Sequence, residues 1–175
     1  MNIKNSLMIA GAALLLSSSV ALARDPVPQD TDTFELYGEV EGWKIYKVLE
    51  LETCLAERVD ENGNVVQMGL TKNHKHGYIG VFTQADIDIK NREKVEIDVD
   101  GFIYEDRARG IKSRELQGNY SGGYIIVKDE NMVTAIAEGQ TLTAFPRRTA
   151  AFAVDLTGTK AAIEEGRKCN LEMAT

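Results

Sequence analysis

A mainly β fold is what this sequence predicts: an antiparallel sheet or sandwich of short strands with two short helices, the last one C-terminal and disulfide-stapled. Three observations predict it. Val95, Ile97 and Val99 alternate strictly with Glu96, Asp98 and Asp100, the mark of a strand with one buried face. Asp60-Glu61-Asn62-Gly63-Asn64 and Asp100-Gly101 stand between apolar runs, where hairpins turn. The stretch from Thr149 to Cys169 reads as a strand, a turn and a helix, and it closes on one of only two cysteines.

Taken in order, Phe34, Leu36 and Val40 alternate with polar residues in a first strand, and Gly42 turns the chain. Trp43, Ile45 and Tyr46 begin a second strand towards Leu49. Thr53–Val59 and Val65–Thr71 are the arms of the Asn62-Gly63 hairpin, so Cys54 sits on one arm. Tyr78 to Thr83 is a strand, and Gln84 to Glu93 a short strand or irregular. Phe102-Ile103-Tyr104 returns from the Val95–Val99 strand. Gly110 to Gly123 is turn-rich, and Tyr124 to Val127 is the next strand. Asp129 caps a helix with the apolar face Met132, Val133 and Ile136, and Gly139 stops it. Thr141 to Phe145 and Ala150 to Leu156 are the last strands. Thr157 or Thr159 is expected to cap the closing helix through its hydroxyl. On that helix Ala162, Gly166 and Cys169 share a face of small residues, which predicts close packing on a sheet. The expected count is eight to ten strands and two helices.

The chain opens with Lys4, an apolar core from Leu7 to Leu16 and Ala21-Leu22-Ala23, the pattern of a secretory signal peptide over residues 1–23. That core is too short to span a bilayer. Residues 24–33 hold two prolines and read as a flexible lead-in; residues 34–175 read as one β-rich domain. The protein is expected to be periplasmic or secreted, with no membrane span in the mature chain. The formal net charge is −7, which repels phosphate backbones and argues against a nucleic-acid partner. Two cysteines in an exported chain pair as a rule. The alternatives are two free thiols or a thiol catalyst, and no His stands near either Cys54 or Cys169.

Gly42-Trp43-Lys44-Ile45, Cys54-Leu55-Ala56, Asp98-Val99-Asp100-Gly101 and the closing Leu156-Thr157-Gly158-Thr159 through Ala161-Ala162 to Cys169 follow one another along the chain. In this layout the sequence resembles a group of small exported proteins of alphaproteobacteria, loosely similar to the invasion-associated locus B family. The resemblance implies a periplasmic protein with a disulfide of the conserved type. It carries over no catalytic residue.

The candidate chemistry is thin. His74 and His76 could present two imidazoles to one metal, but they lie among lysines with no third ligand nearby, and a solvated loop is the reading. Asp60, Asn62 and Asn64 alternate like the start of a calcium loop, yet the twelfth position is Thr71 and a hairpin needs the same residues. Asp86, Asp88, Asp98 and Asp100 could pair as acid and base, or form the wet face of a sheet. Arg107, Arg109, Lys112 and Arg114 form a small basic run, read as a solvated loop. The aromatics expected to face a ligand are Trp43, Tyr46, Tyr78 and Tyr124. No catalytic residue, metal or cofactor is expected. The expected function is a non-enzymatic binding or interaction module with an unidentified protein or small-molecule partner. The alternative is a small periplasmic hydrolase or ligand carrier, its site assembled from distant Asp and aromatic residues.

Overall fold

Two antiparallel sheets share one apolar core with two helices. The computed structural model describes residues 32–85, 87, 89–90, 92–111 and 119–174. The expected signal segment, residues 24–31, Asp86, Asp88, Lys112 and Arg114 lie outside the described residues.

The chain begins as a hairpin of β1 (Phe34–Val40) and β2 (Trp43–Val48). Its turn residues Glu41 and Gly42 both have left-handed φ, 48° and 81°, as a two-residue hairpin whose twist matches its strands requires. One 3-10 turn, Leu49–Leu51, leads to β3 (Thr53–Val59) and β4 (Val65–Leu70). In the loop between them the Asp60 carboxylate accepts from the backbone N–H groups of Asn62 and Asn64, both at 2.8 Å, and Gly63 takes the left-handed position at φ 79°. These residues therefore make the hairpin, and Asp60 is committed to it. β5 (Gly77–Thr83) follows, then β6 (Lys94–Val99), β7 (Phe102–Arg107), β8 (Arg109–Ile111) and β9 (Ser121–Val127). Helix α1 (Glu130–Glu138), β10 (Thr141–Ala144), β11 (Phe152–Asp155) and helix α2 (Thr159–Met173) complete the fold.

The larger sheet has the order β1-β2-β3-β4-β5-β9-β8, the smaller β11-β10-β6-β7. Pairing register sorts the side chains of the large sheet by face, because successive residues point to opposite sides. Ile45, Cys54, Ala56, Val66, Ile79 and Ile125 face the core. They join Ile97, Leu142 and Val154 of the small sheet and Met132, Ile136 and Ala162 of the helices in one cluster. The other face carries two cross-strand rows, Tyr46-Leu55-Gly69-Tyr78 and Lys44-Glu57-Gln67-Gly80-Tyr124.

The expected staple is present. Cys54 on β3 and Cys169 on α2 are bonded, with S–S 1.96 Å and Cα atoms 6.0 Å apart. The sequence separation is 115, so the end of the chain is tied to its early hairpins.

Three details differ from the sequence expectation. Eleven strands are seen among the described residues. The added one, β8, lies at the start of the stretch read as turn-rich, and β9 begins at Ser121 rather than Tyr124. Gly122 serves strand packing there, since a Cβ would run into the Val81 carbonyl and the Phe82 ring. Neither Thr157 nor Thr159 caps α2. Its N-cap is Gly158, at φ 82° and without a side chain, while the Thr159 hydroxyl donates back to the Leu156 carbonyl at 2.5 Å. Thr157 instead donates its N–H and its hydroxyl to Asp155. Gly139 does follow α1, but in extended conformation; a Cβ there would lie 2.5 Å from Val99 Cγ1, so space rather than φ is what it supplies. Of the two readings of Gln84–Glu93, the described residues before β6 follow the irregular one, with Ile87 and Ile89 buried.

Candidate binding groove

Helix α2 lies across β2 and β3 and touches α1. Its first turn is clamped. The Thr157 carbonyl accepts from Trp43 Nε1 at 3.1 Å and from Arg58 Nη1 at 2.7 Å, and Arg58 Nη2 pairs with Asp155 at 2.7 Å. Arg58 also lies over the Trp43 ring, 5.9 Å from its centroid. Three turns on, the disulfide holds Cys169, and Asn170 Oδ1 accepts from the Cys54 backbone N–H at 3.0 Å. Asn170 Nδ2 donates to the Gly166 carbonyl at 2.7 Å.

Between these two fixed points Ala162 is buried against the sheet, while the space beside Gly166 stays open. A cavity of about 260 Å³ opens there, walled by Ala56, Met68 and Leu70 of the sheet, Val133 and Ile136 of α1, and Ala162, Ile163 and Gly166 of α2. An ideal Cβ built on Gly166 would meet nothing within 4 Å. The small face does bring the helix close to the sheet, as expected, with Ala162 and Cys169 fully buried, and it leaves open space beside Gly166. Arg167 is the one charged side chain among the lining residues, and it is exposed. A wider depression of about 570 Å³ surrounds the start of α2, but Glu41, Glu138, Thr157, Lys160 and Glu164 make it polar and shallow. The groove beside Gly166 has the apolar lining with few polar groups that small-molecule sites use.

The four aromatics expected to face a ligand do not converge. Trp43 is fully buried in the core and serves the clamp. Tyr46, Tyr78 and Tyr124 stand on the other face of the large sheet. Tyr78 lies across Gly69, where a Cβ would sit 2.5 Å from its hydroxyl, and Tyr124 lies across Gly80 in the same way. Their rings meet edge to face at 5.1 Å. Tyr124 Oη donates to Gln67 Oε1 at 2.9 Å, and Gln67 Nε2 donates to the buried Glu57 carboxylate at 2.6 Å. Burial pushes the Tyr78 phenol well above its ordinary pKa, and the negative charge of Asp32 adds to it. Tyr124 is raised for the same first reason, with smaller contributions from Tyr78, Asp32 and Glu57. Both therefore stay protonated, and Tyr124 is the one that donates to Gln67. Of the four aromatics only Tyr78 also lines the groove.

His74 and His76 lie in the exposed β4–β5 loop, His74 at φ 57°. Among the described residues no group of three or more His, Cys, Asp or Glu is placed to hold a metal ion. Asp98 accepts from the Gly101 N–H at 2.7 Å, and Asp100 from those of Gln140 and Thr141 at 2.7 and 3.1 Å, so both carboxylates brace turns. Arg107 and Arg109 are exposed. Arg167, Val133 and Ile136 of the groove were not singled out from sequence as ligand-facing. The signal available was the small face of the last helix, Ala162-Gly166-Cys169, which has one reading for packing and another for a gap. No helix among the described residues is long and apolar enough to cross a membrane. No family model, curated protein or solved structure matches this chain.

Proposed function

We propose that this chain is a periplasmic or secreted, non-enzymatic binding module whose site is the groove between α2, α1 and the large sheet. The observation that carries the reading is the apolar cavity beside Gly166, flanked by the clamp at Thr157 and the disulfide at Cys169. A disulfide closing so long a loop suits an oxidising compartment, and the signal-like residues 1–23 and the resemblance to small exported proteins support the same location. Asp60, Asp98, Asp100 and Asp155 each accept from turn amides, which favours binding over hydrolysis by paired carboxylates. Two measurements test the reading. Titration with the neutral apolar fluorophore N-phenyl-1-naphthylamine should show saturable enhancement at one site, abolished in Gly166→Leu; enhancement that is unsaturable, or indifferent to that change, refutes the site. Intact mass of exported protein should place the N-terminus at Arg24, and a retained Met1 refutes export.

A further inference from the structure

The groove's lining specifies more than an apolar occupant. Gly166 is in the middle of α2, where glycine costs about 1 kcal/mol relative to alanine. No neighbour requires its small size, because a Cβ there would touch nothing. The polar groups of the walls are also committed. Asn170 is engaged through both its Oδ1 and its Nδ2, and the Gly166 carbonyl is satisfied by Asn170. A peptide or sugar placed in the groove would bury hydrogen-bonding groups against partners already taken, at a cost of about 1–3 kcal/mol for each group left unsatisfied. A hydrocarbon chain carries no such cost and gains about 0.8 kcal/mol for each methylene buried. The cavity of about 260 Å³ is on the scale of one medium-length chain.

The mouth supplies the sign of the headgroup. Arg167 lines it and makes no ion pair among the described residues, whereas its neighbour Lys168 is held by Glu165 at 2.8 Å. In a chain of net charge −7, a free guanidinium beside an apolar slot is a local attraction for one anion, and its planar fork matches a carboxylate bidentately. Resting on the binding reading above, we propose that the groove takes a medium-chain fatty acid. The acyl chain fills the space beside Gly166 and the carboxylate pairs with Arg167.

Calorimetry with decanoate and with decyltrimethylammonium, both below their micellar concentrations, tests this, with displacement of the neutral fluorophore as a second readout. Decanoate should bind one to one and displace the fluorophore; the cationic analogue should bind at least tenfold more weakly. Arg167→Gln, at an exposed position, should weaken decanoate about tenfold, several times more than it weakens the neutral fluorophore. Gly166→Leu should abolish both signals with a melting temperature no lower than that of the parent. If the fluorophore binds but decanoate and its cationic analogue compete equally, or Arg167→Gln changes nothing, the fatty-acid assignment is overturned and the binding groove stands. If neither fluorophore nor decanoate binds the folded protein, both readings are overturned.

Discussion

Two glycines of the closing helix make an instructive pair. Gly158, at its N-cap, is wedged in a left-handed conformation against Glu41, and a Cβ there would run into the Glu41 Cβ and lie 2.9 Å from the Glu41 carbonyl. Gly166, two turns on, faces open space. The first lets the helix start where Trp43, Arg58 and Asp155 hold it. The second keeps a gap that any larger residue would narrow. One residue type thus serves contact at one end of a helix and absence of contact in its middle.

The largest effect should come from releasing the far wall. Changing Cys54 and Cys169 together to Ser should lower stability by about 2–5 kcal/mol in denaturant unfolding, since a long loop is set free in the unfolded chain. It should also weaken fluorophore binding, because α2 is then free to settle on the sheet; undiminished binding would show that the clamp at Thr157 suffices. Next, Gly158→Ala should cost about 1–3 kcal/mol, from left-handed strain and from the clash with Glu41. Gly166→Ala should go the other way and stabilise by about 0.5–1 kcal/mol through helix propensity alone. Equal signs for the two changes, read from urea midpoints, would break the contrast between contact and gap.

The smallest effect concerns the turn that launches α2. The Thr157 backbone N–H holds the Asp155 carboxyl below its usual pKa, aided by the Thr157 hydroxyl and then by Arg58. A depressed carboxyl stabilises the fold at pH above its unfolded value of about 3.9, and that contribution is lost as pH falls through the lower folded value. The side chain is more than half exposed, so solvent screens it and Asp155→Asn should cost less than about 1 kcal/mol near neutral pH. The gap in melting temperature between parent and variant should close on acidification below about pH 3.9. A gap that stays constant with pH would assign the effect to the amide's altered hydrogen bonding instead.

Local rules made most of the fold legible. Strict alternation located β6, and Asn62-Gly63 located the β3–β4 hairpin because few residues tolerate a left-handed turn. Asp129 announced α1 because a short carboxylate satisfies an orphan N–H of the first turn. The pairing of Cys54 with Cys169 followed from their being the only two cysteines in a chain with an export signal's pattern. The helix N-cap and the ligand-facing residues were another matter. Thr157 and Thr159 are both good caps in isolation, and the hydrogen bonds with Asp155 and Leu156 that draw their hydroxyls away depend on how the turn is folded.

The groove was not legible at all. Its walls come from β3, β4, α1 and α2, and whether small side chains on a helix mean close approach or a gap depends on the distance at which distant elements hold that helix. Likewise the four aromatics separate by sheet face only once register is known, because a shift of one residue exchanges the faces. Composition and spacing are local quantities and fixed the turns, the strands and the staple of this chain. The empty space beside Gly166 is a property of two helices and a sheet brought together by the fold, and no single stretch of residues encodes it.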